Sequence, residues 1–121
     1  MADPRLRRRR HERVPIAGEV RLLIDSSSGL LTVGGRIVDI SEGGCALQLY
    51  TRLDDGATGR VEVMIGATTV WLPIVIRWTR SDSRSWFVGA EFDRPTPEKR
   101  IVIRRLIQAA VGGGRQRSDV V

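Results

Sequence analysis

The sequence predicts an all-β-dominated fold: a small six-stranded antiparallel β-barrel with one C-terminal α-helix. Three observations support this prediction. The 121 residues suit one domain, and 41% of them are hydrophobic, which is enough to build a core. About six short segments alternate apolar and polar residues between turn clusters. One later segment instead places its apolar residues three and four positions apart, as a helix does.

The extended segments follow one another from Val14 onward. The first contains Val20, Leu22 and Ile24 at alternate positions, the period of a strand with one buried face. Further segments with this signature lie between turns rich in Gly, Asp and Ser, over residues 31–40, 45–50, 60–65, 69–80 and 86–92. Pro73 lies inside the fifth segment, where it predicts a bulge or an edge position because proline has no N–H for the ladder.

The helix is predicted to begin after Thr96, a good N-cap residue. Pro97 suits the first helical position, and Glu98 complements the helix dipole. An apolar stripe for contact with the barrel follows, made of Ile103, Leu106, Ile107 and Ala110. The three glycines at 112–114 are predicted to end the helix.

Charge divides the chain into three predicted parts. The formal net charge is +6, and residues 1–13 hold six arginines against two acids, so the remaining residues are nearly balanced. We therefore expect a flexible basic arm over 1–13, a barrel with its helix over 14–111, and a disordered tail over 112–121.

Several classes of site are not expected. Cys45 is the only cysteine and His11 the only histidine, so neither a disulfide nor a cysteine or histidine metal cluster is predicted, and we expect no cofactor. Cys45 is expected to fill a small apolar position in a strand. The longest apolar runs are far too short for a membrane span, and no signal peptide is visible, so we expect a cytoplasmic protein.

Two groups of residues carry the chemistry. Arg9 and Arg13 stand four apart in the arm, and the guanidinium fork suits phosphate or the O6 and N7 atoms of guanine. Alone, such an arm is equally a solvated tail or a loose contact to nucleic acid or anionic lipid.

The second group is the turn Asp39-Ile40-Ser41-Glu42-Gly43-Gly44. Asp39 and Ser41 leave an extended segment on one face, and the strand must end or twist near Asp39 because Ile37 would otherwise share that face. A carboxylate accepts hydrogen bonds from a guanine N1–H and amine, while Gly43 and Gly44 permit positive φ and close approach of a ligand. The alternative is a turn that satisfies only its own backbone.

The two groups in this order resemble the PilZ domain family, receptors for the bacterial second messenger cyclic di-GMP. Arg9 and Arg13 match the family's Arg-x-x-x-Arg motif, and Asp39, Ser41 and Gly44 match its Asp/Asn-x-Ser-x-x-Gly motif without departure. The segments Arg13-Val14-Pro15 and Gly89-Ala90-Glu91-Phe92 are also typical. The resemblance covers about residues 8–108.

The resemblance implies a ligand-binding role and no enzymatic activity. Arg9 and Arg13 would clamp phosphate and the Hoogsteen edge of guanine, while Asp39, Ser41 and Gly44 would hold a guanine on the barrel surface. Arg8 occupies a position that the family associates with an intercalated ligand dimer. A single-domain member would order its arm on binding and signal to an unidentified effector protein.

Two other functions compete with this one. A nucleic-acid-binding barrel would use the basic arm on phosphates, although the balanced charge of the body argues against it. A hydrolase based on Asp39 and Ser41 has no histidine or lysine near that turn in the sequence to act as a base. The three tryptophans, Trp71, Trp78 and Trp86, are interpreted as core or strand-packing residues, with Trp78 the best candidate for ligand contact.

Overall fold

The structure is a computed structural model that describes residues 12–65 and 67–120. Its strands are β1 (Val14–Ser26), β2 (Gly29–Ile40), β3 (Gly44–Leu49), β4 (Thr58–Ile65), β5 (Thr68–Asp82) and β6 (Ser85–Phe92), and its helix is α1 (Pro97–Val120). The six strands, all antiparallel to their neighbours, form a closed barrel in the order β1-β2-β3-β6-β5-β4. The predicted fold class is therefore confirmed.

Alternate side chains of the strands fill the barrel. In β1, Val20, Leu22 and Ile24 are buried as predicted, whereas Arg21 between them is exposed. Other strands add residues that are at most 1% exposed, including Leu47, Val61, Leu72, Ile74 and Val88. Burying an aliphatic side chain of this size stabilises the fold by roughly 1.5–3 kcal/mol. The inner positions thus supply one continuous core, and the outer positions are left for other contacts.

The helix begins where the sequence predicts. The Thr96 hydroxyl accepts a hydrogen bond from the Lys99 N–H at 3.2 Å, which is the contact an N-cap residue makes. On the side facing the barrel, Ile103 and Leu106 are buried and Ile107 packs against the core. The apolar stripe therefore fastens α1 to the barrel.

The helix continues beyond its predicted end. The glycines at 112–114 do not stop it, because α1 runs to Val120. Glycine weakens a helix by about 1 kcal/mol relative to alanine, but it ends one chiefly by adopting a positive φ. Within the described residues, the glycines with positive φ are Gly29 and Gly56, both far from α1. The division into arm, barrel and tail stays a prediction.

Of the two arrangements predicted at Pro73, a bulge or an edge position, the structure shows the second, because β5 pairs with β6 only from Ile74 onward. The pairing of β4 with β5 runs without a shift through Arg60 and Pro73, and the irregularity of β5 lies instead between Ile76 and Trp78. The Pro73 carbonyl accepts a hydrogen bond from the Asp93 N–H at 2.9 Å, so this side of Pro73 faces the point where β6 ends. The missing N–H therefore breaks no bond with β4.

Candidate ligand-binding site

The structure brings one residue of each predicted group into contact. Arg13 stands immediately before β1, and Asp39 lies near the end of β2, where it pairs with Pro15. The Nη1 atom of Arg13 lies 3.1 Å from Oδ1 of Asp39. The Arg13 side chain is 58% exposed and that of Asp39 25%. The pair is open to solvent, so both groups are accessible to a ligand.

A bulge in β2 sets the direction of the Asp39 side chain. The register between β2 and β3 shifts between Ile37 and Asp39. Ile37 is only 2% exposed and belongs to the core, whereas Asp39 contacts the exposed Arg13. The expected end or twist of the strand near Asp39 is therefore confirmed, and it takes the form of a β-bulge.

Ser41 organises the turn that follows. Its hydroxyl oxygen accepts hydrogen bonds from the N–H groups of Gly43 and Gly44, both at 3.3 Å, and it lies 3.3 Å from the Gly44 carbonyl oxygen. The Ser41 N–H also donates to that carbonyl at 2.8 Å. Only 7% of the Ser41 surface is exposed. Its side chain satisfies the hydrogen-bonding groups of the turn backbone, as in the interpretation in which the turn bonds to itself. It fixes the loop beside Asp39.

Gly44 does not use the positive φ that a glycine permits. Within the described residues, positive φ among glycines occurs at Gly29 and Gly56. Gly44 instead begins β3 opposite Glu91 of β6, and a Cβ atom there would overlap the Ala90 carbonyl oxygen. The motif glycine thus lets β6 approach the motif turn.

The turn is also held from the other side. The Gly43 carbonyl accepts a hydrogen bond from the Phe92 N–H at 2.9 Å, and Nε of Arg104 in α1 lies 3.3 Å from Oε1 of Glu42. The last strand and the helix therefore both contact the loop between Ser41 and Gly44.

Cross-strand pairing places Trp78 on the same outer face as Asp39. Asp39 pairs with Ala46, Ala46 with Gly89, and Gly89 with Trp78, so these four residues form one row across the barrel. The indole of Trp78 lies against Gly89, where a Cβ atom would overlap the ring. Trp78 therefore packs on the strands from outside and stays 39% exposed.

The other two tryptophans lie away from this row. Trp86 packs against the core, as expected. Trp71 is 44% exposed, with the Lys99 ammonium 3.7 Å from its ring centroid. Trp71 thus joins the start of α1 to β5 by a cation–π contact.

A groove of about 640 Å³ begins beside Asp39 and was not predicted. Its lining includes Ile16 of β1, Arg36 and Val38 of β2, Gln48 of β3 and Phe87 of β6. We call it the Arg36 groove. The available sequence signal was that Arg36 stands three residues before Asp39 on the same strand. Its other walls come from strands that are distant in sequence, so the groove can be recognised only when the pairing of those strands is known.

Arg8 and Arg9 lie outside the described residues, so their predicted roles stay predictions. In the part of the chain that the structure describes, no group of three or more histidine, cysteine or acidic side chains is placed to hold a metal ion. Across the same residues, no helix combines the length and apolarity needed to cross a membrane.

Cys45 lies beneath the site and is buried, as its strand position predicted. Burial raises the pKa of its thiol from 9.0 to about 12; the negative charge of Asp39 adds to the increase, and the positive charge of Arg13 opposes it. The thiol is therefore protonated in the folded protein at neutral pH.

This pKa predicts that the free energy of unfolding falls as the pH rises above about 9. The folded thiol keeps its proton to about pH 12 while the unfolded thiol ionises near 9.0, so between these values the unfolded chain binds fewer protons and is favoured. The loss approaches about 1.4 kcal/mol per pH unit. Urea titrations across this range should show a steeper loss for wild type than for Cys45→Ala, and equal slopes would contradict the prediction.

Comparison with known proteins identifies the family to which this fold belongs. A family model described as the PilZ domain matches residues 7–109, a span that includes all positions of both motifs. The chain therefore belongs to the PilZ domain family. No curated protein sequence matches it.

Solved structures show the same fold at low sequence identity. The PilZ domain of YcgR from Escherichia coli, determined with c-di-GMP, has a TM-score of 0.79 at 18% identity, covering 94% of this chain and 99% of that one. MrkH from K. pneumonia gives 0.70 at 18% identity, covering 97% of this chain and 52% of that one. The PilZ domain of CeSA from a cellulose-synthesizing bacterium gives 0.63 at 18%, covering 81% and 96%.

Proposed function

We propose that this chain is a receptor for cyclic di-GMP that binds its ligand without changing it chemically. The observation that carries the proposal is the 3.1 Å contact between Arg13 and Asp39, because it joins the two motifs at one accessible point on the barrel. Membership of the PilZ family supports it, as does the likeness to a YcgR domain whose structure was determined with c-di-GMP.

The chemistry of each group fits a guanine dinucleotide. The Asp39 carboxylate accepts hydrogen bonds from N1–H and the amine of guanine. The Arg13 fork pairs with phosphate or with the Hoogsteen edge of the base, and we assign Arg9 the same type of contact. Ser41 and Gly44 act by shaping the turn that presents Asp39. Arg8 is assigned to a second ligand molecule, on the resemblance to the family.

Binding would exchange the partners of Arg13 and Asp39. In the structure each group pairs with the other, and an ion pair as exposed as this one contributes only about 0–1 kcal/mol. A ligand that offers guanine donors to Asp39 and a phosphate to Arg13 replaces that pair at little cost. Because Arg13 joins the arm to β1, the exchange would order residues 1–13 against the barrel. We propose this ordering as the signal to an effector protein.

Titration with cyclic di-GMP in a calorimeter tests the proposal. We expect heat of binding at tens of micromolar protein, together with slower hydrogen exchange over residues 6–14 at saturation. Asp39→Asn should weaken binding strongly, because an amide offers only one acceptor atom to the guanine donors. A wild-type titration without heat would refute the receptor function.

A parallel titration with a short DNA duplex tests the competing function of the basic arm. Nucleic-acid binding would depend steeply on salt concentration and would be insensitive to Asp39→Asn, because phosphate contacts carry it. We expect the duplex to bind more weakly than cyclic di-GMP at physiological salt. Tighter binding of the duplex would favour the nucleic-acid function.

A further inference from the structure

The Arg36 groove adjoins the motif site without using its residues. Val38 in its lining directly precedes Asp39, and Ile16 directly follows Pro15, the β1 partner of Asp39. The groove therefore starts one residue away from Asp39 and from its partner Pro15. Cyclic di-GMP carries two guanines, whereas the motif residues within the described chain account for contacts to one base and to phosphate.

We infer that the Arg36 groove is the subsite for the second guanine of the ligand and selects guanine over adenine there. This inference rests on the proposed receptor function. The residues that carry it are Arg36, Gln48 and Phe87, which stand in one row because Arg36 pairs with Gln48 and Gln48 with Phe87.

Arg36 has an uncommitted guanidinium. Its side chain is exposed, and among the described residues it forms no ion pair, even though Glu19, its cross-strand neighbour, also lines the groove. The fork matches O6 and N7 of guanine. Adenine presents an amine donor where guanine presents O6, so a donor-only side chain such as arginine disfavours adenine.

Gln48 and Phe87 complete the contacts that a guanine requires. The Gln48 amide nitrogen donates to the Ser85 hydroxyl at 3.0 Å, which fixes the amide. Its carbonyl oxygen, a hydrogen-bond acceptor, is then the end left for the N1–H or amine of a guanine. Phe87 supplies an aromatic wall on which a base can stack, and the Arg80 guanidinium lies 6.0 Å from its ring centroid.

The spacing of the two subsites suits one ligand. Asp39 lies three positions after Arg36, which corresponds to about 10 Å along a regular strand, and the bulge at Val38 shortens this span. The sugar–phosphate ring of a cyclic dinucleotide can bridge it. The phosphates then lie near Arg13, at the N-terminal edge of the groove.

The test compares cyclic di-GMP with the hybrid ligand cyclic GMP–AMP. In the hybrid, the guanine takes the motif subsite and the adenine must enter the groove. We expect wild type to bind cyclic di-GMP more tightly than the hybrid by about fivefold or more, the discrimination typical of a bidentate arginine. In Arg36→Ala and Arg36→Lys this preference should fall towards a purely statistical one. That remainder arises because either guanine of the symmetric ligand can enter the motif subsite, whereas the hybrid has only one guanine. Arg36→Lys keeps the charge and removes the fork.

Arg105→Ala is the control, since Arg105 is exposed on α1 outside the groove lining. It should keep both the affinity and the preference of wild type. An Arg36→Ala variant that still prefers cyclic di-GMP as wild type does would overturn the subsite and leave the receptor function standing. Equal losses for both ligands would also overturn it, because they indicate a general effect of charge. Absence of any wild-type binding would overturn both proposals.

Discussion

Replacing Arg13 with alanine is expected to remove detectable binding of cyclic di-GMP. Arg13 is the charged group that contacts Asp39 and the residue at which the arm meets the barrel. A hydrogen bond to a charged group contributes about 1.5–3 kcal/mol, so the variant should bind at least about tenfold more weakly. Calorimetric titration of wild type and variant measures the loss.

Arg21→Ala provides a matched control in β1, the strand that Arg13 directly precedes. Arg21 also pairs with an acid on a neighbouring strand, Glu62 at 2.6 Å, and its side chain is 57% exposed against 58% for Arg13. Both arginines are exposed, and Glu62, which is 14% exposed, also has Nε of Arg60 at 4.0 Å, so both variants should unfold within about 1 kcal/mol of wild type. Arg21→Ala should bind normally. If the two variants bound equally well, Arg13 would have no role in the site.

Gly44→Ala is expected to destabilise the barrel and weaken ligand binding together. The added Cβ would overlap the Ala90 carbonyl oxygen, and the atoms in the way are backbone of β6 that cannot rotate aside. Overpacking of this kind costs about 1–3 kcal/mol or more. Since Gly44 also accepts the hydrogen bonds of Ser41, the strand shift should displace the motif turn. Thermal unfolding and the cyclic di-GMP titration measure the two losses.

Gly34→Ala separates this effect from the general cost of replacing a strand glycine. Gly34 lies in β2 with no atom within 4 Å of the position that a Cβ would take. Its alanine variant should change the free energy of unfolding by less than about 0.5 kcal/mol. Equal stability of the two alanine variants would show that β6 does not need the space at Gly44.

Local patterns predicted much of this molecule. The alternation of Val20, Leu22 and Ile24 was sufficient to place β1 because their burial depends only on strand period. Thr96 was identified as the N-cap because capping depends on neighbours three residues away. Asp39 was expected to leave the regular strand because Ile37 had to stay in the core.

Features that depend on a distant strand were missed. The bulge of β5 lies between Ile76 and Trp78 because the pairing with β6 sets the register there. A side chain at position 44 would overlap the carbonyl oxygen of Ala90, and Ala90 lies 46 positions further along the chain. The predicted end of α1 at the glycines 112–114 was wrong for a different, local reason: a glycine without a positive φ only weakens a helix. The walls of the Arg36 groove come together only after the barrel closes.

Closure of the barrel limits how the chain can recruit a partner. Every strand has a hydrogen-bonded neighbour on both sides along part of its length, and over those stretches it offers no free row of N–H and C=O groups to another protein. In β2, however, residues 29–34 pair with β1 alone, because the pairing with β3 starts at Gly35. Capture of a peptide by strand addition, a common strategy of β-domains, is therefore confined to such one-sided stretches, and elsewhere a partner must recognise side chains on the outer faces of the strands or on α1.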